Sequence, residues 1–443
     1  MSTTLSLVAR TVASKVLRLL LAAVTGVLIA RSLQPEGRGA YALIANIAFT
    51  ATIVGHLSLD QTQISLWASR VWRQRLTVNA LVLGLALGGL TGVTVAALTM
   101  LGAMPTTSPL LCLAMLAVPF AVAGSNLRAV ATLRSDMGVV NRAVIVGALI
   151  QCAPLIALCL TGRLTVAGVI VCWTISTAAP FFVFLRALRP RPRWADARLA
   201  NRQLALGSRY HVGVVAFHLL LSVDVLLVHG LDSTAAVGLY TVAVTVLDLT
   251  RIPAEAVTQV VLPRQAVGGL DAASRLTVRA VRLNLLVSAG FIGLLAAASP
   301  VLVPLVYGQS FAGSVAALLA LAPGTVALTL LRAIEQYLVR LGRPAVLTSI
   351  LVAALVVNVV LNVVLIPALG VVGAGLASTV AYTLTALLEM AWFARATGIP
   401  VHELLPRPST VRSLVAALLR RGADAKAEAE AKTDGAPAEP ARR

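Results

Sequence analysis

The residues able to do chemistry in this chain are few, and the informative ones interrupt apolar stretches. Arg18 follows Lys15 by one turn, roughly on the same helical face, with Arg10 further back. The uncharged stretch after them, Leu19–Ala30, has twelve residues, about 18 Å of helix against a hydrocarbon core of roughly 30 Å. Arg18 is therefore expected at hydrocarbon depth, Lys15 one turn further in, and Arg10 near the inner boundary. An ionised group at bilayer depth costs roughly 2.5–3.5 kcal/mol on insertion scales, so such groups are candidates for function. Lining a wet cavity, they would offer an anionic head group two to three charge-assisted bonds per arginine. The competing reading is that the side chains snorkel to the inner head groups.

A second constellation repeats the theme. Asp248, Arg251 and Glu255 have i,i+3 and i,i+4 spacing that allows pairing among themselves, and Pro253 can bend their helix. Arg251 is expected at a depth similar to Arg18, so one positive charge from each half of the chain would converge on an anion; a self-neutralised Asp248–Arg251 pair is the alternative. Asp224 and His218 lie in another apolar stretch. His218, level with Asp248, suits a proton relay, or else a hydrogen-bonded packing role. Asp224, Asp248 and His218 are thus candidates for ion or proton coupling. Asn358 and Asn362, one turn apart, suit bonds to neighbouring helices.

Positioning these groups requires a membrane fold. The 443 residues are 58% hydrophobic and only 12% charged, with a mean hydropathy of +0.91, against roughly 25% charge in an average soluble domain. Twelve apolar spans are expected near 8–33, 39–66, 77–103, 109–134, 140–161, 164–187, 208–230, 236–263, 278–306, 312–341, 344–366 and 371–396. Alternate connections carry the arginines: Arg70, Arg73 and Arg75; Arg128, Arg134 and Arg142; seven between Arg186 and Arg209; Arg264, Arg275, Arg279 and Arg282; Arg332, Arg340 and Arg343. The other connections carry only Arg31, Arg38 and Arg163. Since cytoplasmic loops retain Lys and Arg, both termini are expected inside. Much of the net charge of +19 is then topological, and its alternation with apolar spans argues against a nucleic-acid partner.

An internal repeat divides the chain. Val27, Leu28 and Leu33 recur as Val225, Leu226 and Leu231; Gly39 and Tyr41 recur as Gly238 and Tyr240; Pro119, Leu127 and Arg128 recur as Pro323, Leu331 and Arg332. The reading is an all-α polytopic membrane protein of about twelve helices in two pseudo-symmetric six-helix bundles, 1–188 and 208–397. A basic cytoplasmic linker, 189–207, joins them. A tail, 398–443, carries an amphipathic helix at 409–421 and then a disordered stretch.

Several functions are disfavoured. There is no Walker GxxxxGK[ST] run, no nucleophile–base constellation, and no outer loop long enough for a glycan polymerase. Cys112, Cys152, Cys159 and Cys172 lack metal-ligand spacing. Neither catalysis, a cofactor nor a metal is expected.

Five stretches resemble a known family: ARSLQPEGRGAYAL (Ala30–Leu43), VDVLLVHGLDSTAAVGLYTVA (Val223–Ala243), QVVLPR (Gln259–Arg264), VYGQSFAGSVAALLALAPG (Val306–Gly324) and NVVLNVVLIPALGVVGAGLAST (Asn358–Thr379). They are similar to the polysaccharide exporters, or lipid-linked oligosaccharide flippases, of the multidrug/oligosaccharidyl-lipid/polysaccharide (MOP) superfamily. The resemblance implies a twelve-helix transporter of the cytoplasmic membrane, turning an undecaprenyl-diphosphate-linked glycan between leaflets by alternating access. It implies partners among membrane lipids and glycan polymerases or glycosyltransferases, and it supports Arg18 and Arg251 as ligands of the diphosphate. Asp224 matches the acidic residue that precedes the short loop in such proteins. The lipid II flippases of the superfamily usually have fourteen helices, whereas this chain turns polar after twelve. The segment HLSLDQTQ departs from the family pattern, leaving Asp60 and Gln61 without a role. The alternatives are a cation-coupled small-molecule exporter of the same superfamily and a non-transporting scaffold for glycan assembly. The arginine-for-lysine bias fits a high-GC bacterial genome.

Overall fold

The computed structural model describes residues 2–250, 269–341 and 343–406. These are helical, without strands among the described residues. Among the described residues ten helices are long and apolar enough to cross a membrane, and Thr234–Asp248 is a shorter apolar one. The difference from twelve has a local cause. Leu17–Leu66 counts once although it covers the first two expected spans, and the eighth span is described only over its first part.

Helix α1 (Ser2–His56) is two arms meeting at Gln34, where φ is 57° and ψ 179°. Pro35 lacks an N–H and disfavours a helical conformation in the residue before it. The first arm runs parallel to α6 (Met137–Leu160): Arg18 adjoins Val144, Ile29 packs with Leu155, and Ser32 meets Cys159. The second arm runs antiparallel to α8 (Ala197–Leu231): Asn46 donates to Ser222 O, Thr50 pairs with His218, and Ser58 pairs with His211. The chain therefore reverses at Gln34 with no intervening loop. Gln34 Nε2 donates to Arg31 O at 3.0 Å, and its Oε1 accepts from Ser310 at 2.7 Å. Arg31 donates to the carbonyls of Leu305 and Val306, at the end of α10 (Leu270–Tyr307). Those last-turn carbonyls have no partner within their own helix.

The repeated glycines meet each other. A Cβ on Gly39 would stand 1.8 Å from Thr234 O, and one on Gly238, in α9 (Thr234–Asp248), 2.0 Å from Pro35 O. Each glycine faces a backbone carbonyl four residues before the other, so the contact is reciprocal, as in a two-fold interface.

Around this crossing stand α2 (Leu59–Leu66), α3 (Trp72–Met100), α4 (Pro109–Met115), α5 (Val118–Leu133) and α7 (Val166–Leu188). On the other side are α11 (Ser314–Arg340), α12 (Pro344–Leu369) and α13 (Val371–Thr397). One buried apolar cluster runs through both groups, from Leu43, Ile47 and Leu111 to Tyr240, Leu318 and Tyr382.

Helix α8 begins at Ala197, inside the segment read as linker. Asp196 caps it, its Oδ1 accepting from the Leu199 N–H at 3.0 Å. Its Oδ2 pairs with Arg75 at 2.6 Å, and Asn79 both donates to Asp196 O and accepts from its N–H. Asn79 also donates to Gln203. The start of α8 is thereby fastened to α3. The expected amphipathic helix 409–421 lies outside the described residues.

Two predictions follow from the packing. Replacing Gly238 by valine should lower thermal stability by at least about 1–3 kcal/mol through overpacking, measurable in detergent, while Gly230→Ala, where a Cβ meets nothing within 4 Å, should change little. The second concerns pH. The Leu199 N–H and the Arg75 guanidinium hold the Asp196 carboxyl below its usual range, so its anchoring is present above pH ~4 and lost as pH falls through the lowered value. The protection factor at Leu199, corrected for the intrinsic pH dependence of amide exchange, should fall on acidification in the wild type, and Asp196→Asn should abolish that fall.

Candidate functional site

Three cavities with polar groups in their walls lie within the bundle, neighbouring ones sharing a lining residue. The first, about 280 Å³, lies between the second arm of α1 and helices α8, α9, α11 and α13. Its polar lining includes Asn46, His218, Ser222, Asp248, Thr325, Thr329 and Glu335. The second, about 520 Å³, shares Phe49 with it and is lined by His56, Asp60, Gln61, Ser125, Arg128 and Thr177. The third, about 150 Å³, shares Val144 with the second and is lined by Arg18, Thr25 and Gln151. Arg18 of α1 lines the third cavity, Arg128 of α5 shares the second with Asp60, and the first is lined by the carboxylates Asp248 and Glu335.

Arg18 is exposed and forms the wall of the third cavity. Lys15 and Arg10 are in the same arm of α1, but their side chains lie outside the described set, and Arg251 lies outside the described residues. Convergence of Arg251 with Arg18 thus has no geometry to judge it by. His218 and Asp248 are brought to one cavity. The imidazole Nε2 is 2.9 Å from Thr50 Oγ1 and 3.3 Å from Ser222 Oγ, and the ring meets Phe49 edge-on at 5.3 Å between centroids.

Asp224 lines none of the three cavities. It is fully buried and held by neutral donors from three other helices. Tyr240 Oη donates to Oδ2 at 2.6 Å, Ser378 Oγ donates to the same oxygen, and Asn362 Nδ2 donates to Oδ1 at 2.7 Å. Asn358 Nδ2 in turn reaches Ser378 Oγ at 3.4 Å. Hydrogen bonds to the charged form keep a buried carboxylate tolerable without a counter-ion. The set of carboxylate, hydroxyl and amide oxygens is also of the kind that suits a small hard cation or a proton. Among the described residues there is no cluster of three or more His, Cys, Asp or Glu that could hold a metal, and the four cysteines are free.

Three site groups escaped the sequence reading. Arg128 counted as a loop residue but lies within α5, one turn before its end, and lines a cavity. Glu335 faces the first cavity from α11, and its three-residue spacing from Arg332 was the only available signal. Arg38, assigned to a connection, is buried within α1 because the reversal consumes no loop.

Residues 28–316 match the family model described as polysaccharide biosynthesis protein. No match was found among curated proteins. Among solved structures, the lipid II flippase MurJ in an inward closed conformation matches with a TM-score of 0.71 and 13% identity, covering 94% of this chain and 92% of that one. A multidrug resistance MATE family transporter of the MOP superfamily matches in its inward-facing conformation with a TM-score of 0.70 and 14% identity, over 86% of this chain and 94% of that one. An outward-facing MATE transporter of the same superfamily scores 0.60 at 13% identity, over 88% and 93%. At these identities the likeness is one of fold. With the family model covering well over half of its length, the chain belongs to the polysaccharide biosynthesis protein family and has the multi-pass helical fold seen in MOP-superfamily proteins.

Proposed function

We propose that the protein is a flippase that moves an undecaprenyl-diphosphate-linked glycan from the inner to the outer leaflet of the cytoplasmic membrane by alternating access. The observation that carries the reading is Arg18, facing a cavity with Thr25 and Gln151 that shares Val144 with the cavity lined by Arg128. A diphosphate needs fixed positive charge inside the bundle, and a lipid-linked sugar needs polar surface beside apolar wall; Phe49, Trp173 and Phe181 supply the latter. Lys15, Arg10 and Arg251 are assigned to the same basic path. The arginine-rich end of the bundle faces the cytoplasm in this reading, with both termini inside and two six-helix halves, 1–188 and 208–397, rocking about the Gly39–Gly238 crossing. Glycan polymerases or glycosyltransferases would supply or consume the substrate, and the role is transport, not catalysis.

Coupling is assigned to Asp224, where four helices contribute to one polar cluster, with His218 and Asp248 at the first cavity as proton-exchanging groups. A second reading rests on a different observation. Asp248 and Glu335 make one cavity wall acidic, which suits a cation-coupled exporter of cationic small molecules.

Arg18→Ala should reduce surface glycan by roughly tenfold or more, as expected for losing about 1.4 kcal/mol or more of charge-assisted binding. Glycan staining and immunoblotting of membrane fractions measure output and protein level, and unchanged output rules the role out. Drug efflux would instead show as altered sensitivity to cationic compounds on deletion, with glycan unaffected. A scaffold would tolerate Arg18→Ala. Asp224→Asn keeps the shape of the cluster and removes its charge. It should leave thermal stability within about 1 kcal/mol, since a neutral group is cheaper to bury, while making flux in proteoliposomes insensitive to imposed proton and sodium gradients. Gradient-driven flux equal to wild type would remove Asp224 from coupling.

A further inference from the structure

Arg38 has an environment that the reading above does not use. It stands four residues past the Gln34 reversal and is 6% exposed. Its Nη2 lies 3.4 Å from Thr245 Oγ1, a long contact to a hydroxyl that itself donates to Thr241 O at 2.6 Å. Its Nε is buried without a hydrogen-bond partner. The guanidinium carbon is 5.8 Å from the centre of the Tyr41 ring, and Tyr307 is the other titratable neighbour. Among the described residues no carboxylate is paired with it.

The depth is considerable. Thr245 is twelve residues beyond the Ser233 cap of α9, about 18 Å along the helix, past the middle of a core of roughly 30 Å. A guanidinium presents five N–H donors, and here nearly all are unspent. A buried charge in this state is costly unless something else supplies the opposite sign. A cationic or neutral ligand would not supply it, which leaves an anion.

The surroundings connect Arg38 to the cavity path. Tyr41 packs with Ile29 and Leu155, and Gln151, one turn before Leu155, lines the same small cavity as Arg18 and Thr25. Arg18, Gln151, Tyr41 and Arg38 thus follow one another along the contact of α1 with α6. At its far end, Arg31 and Gln34 hold the last turn of α10 and Ser310, closing the bundle beyond Arg38.

We propose that Arg38 is a second anion-binding station, which takes the phosphoryl group of the lipid-linked substrate after Arg18 as the group passes the Gln151–Tyr41 step. This rests on the flippase reading and adds to it a residue and an order of contacts. Arg18 meets the anion from the arginine-rich end, and Arg38 holds it nearer the end that Arg31 closes.

The test uses the full chain in nanodiscs, as wild type, Arg38→Gln, Arg38→Lys and Arg18→Gln, with undecaprenyl diphosphate, inorganic diphosphate and undecaprenol as probes in microscale thermophoresis. Arg38→Gln should weaken undecaprenyl diphosphate binding at least tenfold and Arg38→Lys less than threefold, with undecaprenol unaffected by either. Equal affinity of wild type and Arg38→Gln would overturn the station while Arg18→Gln still reports on the flippase reading. A wild type that binds neither diphosphate probe would overturn both. Inorganic diphosphate bound as tightly as the lipid, and lost in Arg38→Gln, would identify a free-phosphate site and overturn the lipid-linked assignment. Thermal unfolding without ligand provides the second readout. Arg38→Gln should raise the apparent Tm, because it removes a charge with no counter-charge; a lower Tm or failure to fold would mark a structural arginine and overturn the proposal.

Discussion

Two backbones in direct contact set the geometry of this molecule. At Gly39 and Gly238 the second arm of α1 and the start of α9 approach so closely that neither tolerates a Cβ. Helices carrying larger residues at the contact stay about 8–10 Å apart; small ones permit closer approach, and in lipid such packing substitutes for the missing hydrophobic drive between helices. Below the crossing the two helices are separated by side chains again, and there the first cavity opens, with Asn46 and Phe49 on one wall and Val244 and Asp248 on the other. Each glycine faces the carbonyl four residues before its counterpart, so the crossing is symmetric about the contact.

Charge at depth is handled in two ways on the two sides of that crossing. Asp224 is enclosed by a tyrosine, a serine and an asparagine from three other helices, all neutral donors aimed at its oxygens. Breaking any one of these bonds leaves a buried polar atom unmatched, which is the expensive event in a low-dielectric interior. Arg18 and Arg128 are treated differently, opening onto cavities without a carboxylate bonded to them among the described residues. Buried ion pairs that would neutralise the arginines locally would also make them useless to a ligand. Among the described residues neither Arg18 nor Arg128 is in an ion pair, although Asp60 lines the same cavity as Arg128.

The apolar spans were legible because length and hydropathy alone determine them, and the glycine repeat was legible as a pattern though not as a contact. What the repeat could not convey is that Gly39 and Gly238 touch each other, since sequence similarity reports equivalence and not proximity. Arg38 was misplaced for a related reason: a proline and several polar residues suggested a loop, whereas the helix resumes at Pro35 and carries Arg38 inward. Arg128 was read as topological because it lies near a helix end, yet its side chain also lines a cavity. The Asp224 cluster was invisible in composition because its partners Asn362 and Ser378 are 138 and 154 residues away. Asp224 itself was detectable, as an acid in an apolar run.

Gln34 adopts φ 57° and ψ 179°, a region that glycine alone enters freely and that costs other residues about 1–3 kcal/mol. Its two side-chain bonds, to Arg31 O and from Ser310, hold it there. With no loop between the arms of α1, the angle between them is set at a single residue. A loop of several residues would let the arms shift against each other, whereas a one-residue joint under strain ties the placement of Arg18 on one arm to that of Arg38 on the other through one pair of backbone angles.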